Sequence, residues 1–173
     1  MERVPSVPPL LPVYLSLGSN QGDRREFLAR ALSRLELDGN RIVDCSSVYE
    51  TEPVDLVDQP SFFNLACALG SPFGPGSLLR RCQLIETDLG RRRSIPKGPR
   101  VIDIDLLFFA DRLVDTPELK IPHPSFQNRR FVLVPLTEIA PELRDPRTGD
   151  TMRVLLERCP DHSWIRRVGE ISW

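Results

Sequence analysis

The sequence predicts an α+β domain: an antiparallel sheet with helices packed against it. Three observations point there. Apolar residues recur with a strand-like period of two and a helix-like period near 3.6, in the order strand, helix, strand, strand, helix, strand. Gly/Pro-rich turns separate these stretches. One strand-like run, GPRVIDIDLLFF, carries two aspartates, Asp103 and Asp105, among β-branched and aromatic residues.

In chain order, MERVPSVPPLLP has four prolines and no long apolar run, and reads as a flexible leader over residues 1–12. Residues 13–173 are expected to form a single domain, which their number accommodates. Val13 to Leu17 alternates as a strand and ends at Gly18-Ser19-Asn20. A helix follows from Arg24 to Leu37, with Phe27, Leu28, Ala31, Leu32 and Leu35 on its apolar face and Asp23/Glu26 at capping-box spacing. Arg41 to Tyr49 reads as a second strand, and residues 50–60 as a loop of a length usually reserved for function. Phe62 to Leu69 is a third strand, and Ser77 to Leu89 a second helix with Leu78, Cys82, Ile85 and Leu89 on one stripe. Gly90 to Pro99 is a basic loop leading into the aspartate strand, Val101 to Phe109. This order is the ferredoxin-like β-α-β-β-α-β arrangement, with two helices on one face of the sheet. A hairpin near Asp111-Arg112, a short strand at Leu119–Ile121, helices over 130–139 and 152–157, and a C-terminal tail are appended.

Composition narrows the function classes. Apolar and charged fractions of 40% and 27% are ordinary for a globular protein, and a net charge of −1 argues against a dedicated nucleic-acid binder. Cys45, Cys67, Cys82 and Cys159 form no C-x-x-C pair and read as reduced core thiols of a cytoplasmic protein. No segment has the length of a membrane span.

Residues two apart on a strand project to the same face, ~6.6 Å apart along it. Asp103 and Asp105 therefore share a face with Val101, Leu107 and Phe109, while Ile102, Ile104, Leu106 and Phe108 make the other face wholly apolar. Two carboxylates in such a strand need a cationic partner. One reading is magnesium bridging phosphate oxygens; the other is a structural pair neutralised by an arginine such as Arg100. Arg91, Arg92, Arg93, Lys97 and Arg100 lie just upstream, suited to a triphosphate or to keeping a loop solvated. No Walker A or G-x-G-x-x-G pattern occurs, so a nucleotide would be held by side chains.

Seven segments in order, LSLGSNQGD, SSVYETEP, DQPSFFNLACAL, QLIETDLGR, GPRVIDIDLLFF, IPHPSFQNRRFVLVPL and EIAP, resemble the 6-hydroxymethyl-7,8-dihydropterin pyrophosphokinase family over residues 13–157. The resemblance implies a ferredoxin-like fold with appended elements. It implies transfer of pyrophosphate from ATP to the pterin hydroxymethyl group, with release of AMP. By the same resemblance, Asp103 and Asp105 bind two Mg²⁺, and Arg91, Arg93 and Arg100 act with them in catalysis. Gln83, Glu86, Arg91, Arg93, Lys97, Arg100, Leu106, Lys120, His123 and Arg129 contact ATP. Thr51, Pro53, Val54, Phe62, Asn64, Asp103 and Phe131 contact the pterin, the two phenylalanines stacking on its ring. Loops 50–60 and 90–99 close over the substrates. The chain departs from the family at Pro96-Lys97, where an Arg-Trp pair is frequent, at Phe62, often tyrosine, and at Asp55, often glycine. The expected partners are the two small-molecule substrates, without nucleic acid or membrane, and the expected state is a monomer. An inactive nucleotide-binding module is the alternative, and a scaffold binding nucleic acid through the basic loop is a third reading.

Overall fold

A computed structural model describes residues 9–54, 56–92 and 97–173. The sheet is built from β1 (Leu11–Ser19), β2 (Arg41–Cys45), β3 (Val48–Thr51), β4 (Phe62–Ser71), β5 (Asp103–Phe109) and β8 (Ile165–Gly169). Its order is β5-β1-β4-β3-β8, with β2 also paired to β4. All these pairings are antiparallel. Helices α1 (Arg24–Leu37) and α2 (Pro75–Asp88) connect β1 to β2 and β4 to β5. Each strand–helix–strand unit thus holds a strand of the other between its own two, as in the split β-α-β arrangement. Helix α3 (Arg130–Ile139), helix α4 (Met152–Glu157) and the two-stranded pair β6 (Val114–Asp115) and β7 (Lys120–Ile121) complete the order.

The sheet separates two apolar clusters. Val13, Leu15, Leu17, Leu65, Cys67, Leu69, Ile104 and Leu106 meet Leu28, Leu32 and Leu35 of α1 and Leu78, Cys82 and Ile85 of α2. On the other face, Ala66, Leu107 and Phe108 meet Val132, Leu133 and Leu136 of α3. The two helices expected on one face are α1 and α2, and the chemistry-bearing residues point to the opposite face, toward α3.

Several local expectations are corrected. The strand expected over 41–49 is two strands. Ser46 interrupts it: its N–H donates to Ala66 O (2.9 Å), its Oγ accepts from Ala66 N (2.9 Å), and it donates to Ser47 O (2.8 Å). A serine hydroxyl has here replaced a ladder partner. The aspartate strand begins at Asp103 and does not alternate throughout. Tyr14 opposes Phe108 while Leu15 opposes Leu106, so Leu107 is an extra, bulged residue. Phe109 consequently turns to the α1/α2 side and Phe108 to the α3 side, the reverse of strict alternation. The hairpin expected near Asp111-Arg112 instead joins β6 to β7, closed by Thr116 N–H donating to Leu119 O (3.0 Å). Leu11 and Pro12, assigned to the leader, already pair with Ser71 and Gly70 in β1, while residues 1–8 lie outside the described residues. The expected tail contains β8. All four cysteines are free thiols, with Cys67, Cys82 and Cys159 buried and Cys45 half-buried.

Candidate active site

The end of the sheet nearest the start of α3 carries a row of polar side chains across three strands. Gly18 of β1 pairs with Asp103 of β5 on one side and with Asn64 of β4 on the other. One row further on, Ser16 pairs with Asp105 and with Ala66. Cross-strand partners share a face. The middle strand therefore contributes only small residues, which leaves a floor between two carboxylates and an amide. The close packing is specific: a Cβ on Gly18 would lie 2.6 Å from Asn64 Oδ1. Asn64 is buried and donates through Nδ2 to Thr51 Oγ1 (2.8 Å).

The C-terminus of α2 brings the cations. Gly90 takes a left-handed φ of 97°. Its N–H donates to Thr87 O (3.0 Å), and that of Arg91 to Glu86 O (3.0 Å). This is the Schellman closure, which turns the chain back over the last helical turn. Arg91 is thereby aimed at the acids, with Nη1 2.6 Å from Glu86 Oε1 and 2.5 Å from Asp103 Oδ1. Glu86 is buried, and the same Oε1 accepts from Ile104 N–H (2.7 Å). Burial pushes the Glu86 carboxyl up, Arg91 and the Ile104 N–H pull it down, and Asp103 adds to the rise. Arg100 places Nε 3.1 Å from Asp103 Oδ2, close enough for ion pairing though not aligned as a hydrogen bond, and its guanidinium lies 5.3 Å from the Phe62 ring centre.

Asp105 is the most perturbed acid of the site. Burial, then the Asp103 and Glu86 carboxylates, raise it to about 7, against the opposing pull of Arg100 and Arg129. Two carboxylates on one face, one of them with its pKa raised by burial and then by its acidic neighbours, form a hard-oxygen donor set. Mg²⁺ uses one or two such carboxylates and keeps its other positions for water and phosphate, so the residues fit that ion.

His123 arrives from the segment after β7, and its backbone N–H donates to the bulged Leu107 O (3.0 Å). Its Nδ1 accepts from Ser125 N–H (3.3 Å). Burial and then Arg129 hold its pKa below the ordinary value, against a smaller opposing effect of Asp103, and with Nδ1 accepting it is Nε2–H that is offered as a donor. Arg129 occupies the N-cap position of α3 without a capping side-chain bond, and its guanidinium lies 5.7 Å from the Phe131 ring centre.

Beside the acids lies a pocket lined by Thr51, Pro53, Val54, Phe62, Asn64, Arg100 and Phe131, with Glu52, Gln59 and Lys97. All the residues assigned from sequence to the pterin line it, save Asp103, which stands at the adjoining acid row. Gln83 is exposed on α2, in a groove against Val114, Thr116, Glu118 and Leu119. Leu106 does not bring its side chain to the site: it is buried on the α1/α2 side, leaving only its backbone available. Lys120 is exposed on β7 and pairs with Asp115 (2.9 Å). Arg93, Pro96 and Asp55 lie outside the described residues.

Sequence reasoning missed Asn20 and Gln59. Asn20 is buried at the end of β1. Its Nδ2 donates to Gln59 Oε1 (3.0 Å) and Pro60 O (3.1 Å), and its Oδ1 accepts from Arg100 N–H (2.8 Å). Its own N–H donates to Arg100 O (3.1 Å). Gln59 in turn donates to Lys97 O (3.3 Å). The ends of both long loops are thus tied to one strand terminus. The available signal was the buried end of a β-strand at Ser19-Asn20, which reads equally as a turn.

A split β-α-β sheet with paired carboxylates, convergent arginines and an adjoining aromatic pocket defines a phosphoryl-transfer class of site. Residues 14–141 match the family described as 7,8-dihydro-6-hydroxymethylpterin-pyrophosphokinase (HPPK), and the chain belongs to that family. It is 43% identical over 149 residues to the 2-amino-4-hydroxy-6-hydroxymethyldihydropteridine pyrophosphokinase of Pseudomonas aeruginosa, covering 86% of this chain and 91% of the relative. It is 44% identical over 148 residues to folic acid synthesis protein fol1 of Schizosaccharomyces pombe, covering 85% of this chain but 20% of that much longer protein. Among solved structures, an HPPK-DHPS complex with substrates superposes with a TM-score of 0.71 at 17% identity, covering 87% of this chain and 43% of the other, which supports the fold.

Proposed function

We propose that this chain transfers pyrophosphate from ATP to the hydroxymethyl group of 6-hydroxymethyl-7,8-dihydropterin, releasing AMP. The observation that carries the reading is the contiguity of the acid row, Arg91 and Arg100 with an aromatic pocket holding Asn64. The same contiguity speaks against a module that has lost catalysis. Phe62 and Phe131 offer ring faces to a flat heterocycle, and Asn64 offers amide chemistry to its edge. ATP would lie over Arg91, Arg100 and His123, with Arg129 at the start of α3. Asp103 and Asp105 would hold two Mg²⁺. Bound there, the metal would supply the positive charge that offsets the phosphate charge.

The residues of the chain act mainly by position and charge. The pterin hydroxyl oxygen bonds to the β-phosphorus as the bond from that phosphorus to the α–β bridging oxygen breaks. AMP leaves with the bridging oxygen, the hydroxyl proton passes to solvent, and Arg91 and Arg100 stabilise the charge developing on that oxygen. His123 donates a hydrogen bond through Nε2–H. The loops tied at Asn20 close over the substrates and exclude water, so that ATP is not hydrolysed. The chain from Leu11 onward would work as one catalytic unit, monomeric and cytoplasmic. Among the described residues no helix is long and apolar enough to cross a membrane.

AMP release with ATP, magnesium and the dihydropterin tests the proposal. Pterin-dependent AMP is expected from the wild type and absent from Asp103→Ala and Asp105→Ala. Undiminished turnover in either variant would overturn the role given to the acids.

A further inference from the structure

The segment following Pro160 lies beyond the family match and makes contacts that the catalytic reading does not use. Helix α3, whose first turn carries Phe131, has no side-chain cap of its own. The missing acceptor comes from a distant residue: Asp161 Oδ2 accepts from Arg130 N–H (2.8 Å). Asp161 Oδ1 is held by Ser163, through its N–H (2.9 Å) and its hydroxyl (2.5 Å), while Arg130 Nη1 donates to Ser163 O (3.3 Å). One residue later the chain crosses to the other wall of the pocket. Trp164 N–H donates to Glu52 Oε1 (2.7 Å), and Ile165 pairs with Thr51 as β8 begins.

A stretch of five residues therefore joins the start of α3, which presents Phe131, to the segment presenting Thr51, Pro53 and Val54. Both line the same pocket. A carboxylate at a helix N-terminus satisfies an orphan N–H and complements the helix dipole, so this end of the strap is held firmly. At the other end the attachment continues along the β3–β8 ladder.

We propose that Asp161–Ile165 is a strap that sets the spacing between the two walls of the pocket, with Asp161 as a positioning residue for the pterin half of the site. This rests on the pterin reading above. The ATP half, built on α2, β5 and His123, meets the strap only through Arg129, which precedes Arg130 at the start of α3. Loss of Asp161 should therefore weaken the pterin far more than ATP.

The test compares Asp161→Ala and Asp161→Asn with the wild type in AMP release, varying each substrate in turn. Asp161→Ala is expected to raise the KM for the dihydropterin about tenfold, as for one lost charged hydrogen bond, with the KM for ATP and kcat within about twofold. Asp161→Asn, which keeps an oxygen for Arg130 N–H, should recover most of the loss. Equal changes in both KM values, or none, would overturn the strap. Hydrogen exchange on the same variants gives a readout independent of turnover. In Asp161→Ala, amides of Thr51, Glu52 and Val54 should exchange faster together with those of residues 130–133. Acceleration confined to α3 would reduce Asp161 to a local cap. Should Asp161→Ala fold poorly, Ser163→Ala removes the hydroxyl that holds Asp161 Oδ1, outside the pocket lining, and must produce the same bias against the pterin. A wild type that releases no AMP would refute the catalytic reading, and the exchange pattern would still decide the strap.

Discussion

Glu86 shows how one side chain can organise a charged site. Its Oε1 receives both the Ile104 N–H and Arg91 Nη1, so it fixes the aspartate strand and the arginine that serves it. Glu86→Ala would strand a buried N–H and leave Arg91 with one carboxylate fewer. We expect a loss of about 1–3 kcal/mol in unfolding free energy, read from denaturant midpoints, with a smaller loss in Glu86→Gln, which keeps the acceptor. Equal stability of the alanine variant and the wild type would show that Ile104 finds another partner. Gly18 makes a complementary case. The Cβ of Gly18→Ala would meet Asn64 Oδ1 at 2.6 Å and must displace an amide already committed to Thr51. The expected outcome is a KM for the pterin raised about tenfold, the equivalent of one hydrogen bond, with the KM for ATP little changed. The acid pair was legible because period two puts alternate residues on one face whatever the tertiary context. The role of Glu86 was not, since a glutamate on a helix flank reads the same whether exposed or buried.

Elements were legible where their hydropathy period was uninterrupted, and less so where it was not. The stripe Leu78, Cys82, Ile85 located α2, and Gly90 marked its end. The bulge at Leu107 was invisible because Leu106, Leu107, Phe108 and Phe109 are all apolar, so an inserted residue leaves no mark on the pattern. Yet the bulge matters to the site: its carbonyl receives the His123 N–H. Strand β8 was missed because Ile165–Gly169 carries two arginines and lies at a sheet edge, where a polar strand is the usual protection against further pairing. The loops pose a similar problem. Their length announced function, but their attachment to Asn20 depends on three segments far apart in sequence meeting at one side chain. Asn20→Ala would release Gln59, Pro60 and the backbone of Arg100 together. Both substrates should suffer: steady-state kinetics should show KM for ATP and for the pterin each raised about tenfold or more, consistent with several lost hydrogen bonds. A change limited to one substrate would mean that the two loop ends are held independently.

At the scale of the molecule, the sheet divides labour between its faces. The side toward α1 and α2 is apolar and holds the fold, whereas the side toward α3 carries the acids, the amide and the aromatic pocket. Connections around the sheet edge then decide how rigidly that second side is kept. Glu50 of β3 is the meeting point of four parts of the chain. It accepts from Ser61 Oγ (2.8 Å) just before β4, from Arg24 Nη1 (3.2 Å) at the start of α1, and from Arg166 of β8. Arg24 also donates to Ser61 O (2.9 Å) and lies over the Phe63 ring, 3.7 Å from its centre. The Ser61 hydroxyl, then Arg166, and more weakly Arg24 hold the Glu50 carboxyl below its ordinary value, against a smaller opposing effect of burial. A carboxyl with a lowered pKa in the folded state adds stability above its unfolded value and loses it as pH falls through the folded one. Glu50→Gln should therefore be less stable than the wild type at neutral pH by on the order of 1 kcal/mol. That gap should narrow progressively as pH drops below 4.5, the ordinary glutamate value. Urea titrations of both proteins across this range would measure it. A gap independent of pH would assign the contribution of Glu50 to packing and neutral hydrogen bonding, and would leave β8 held at this point by its ladder to β3 alone.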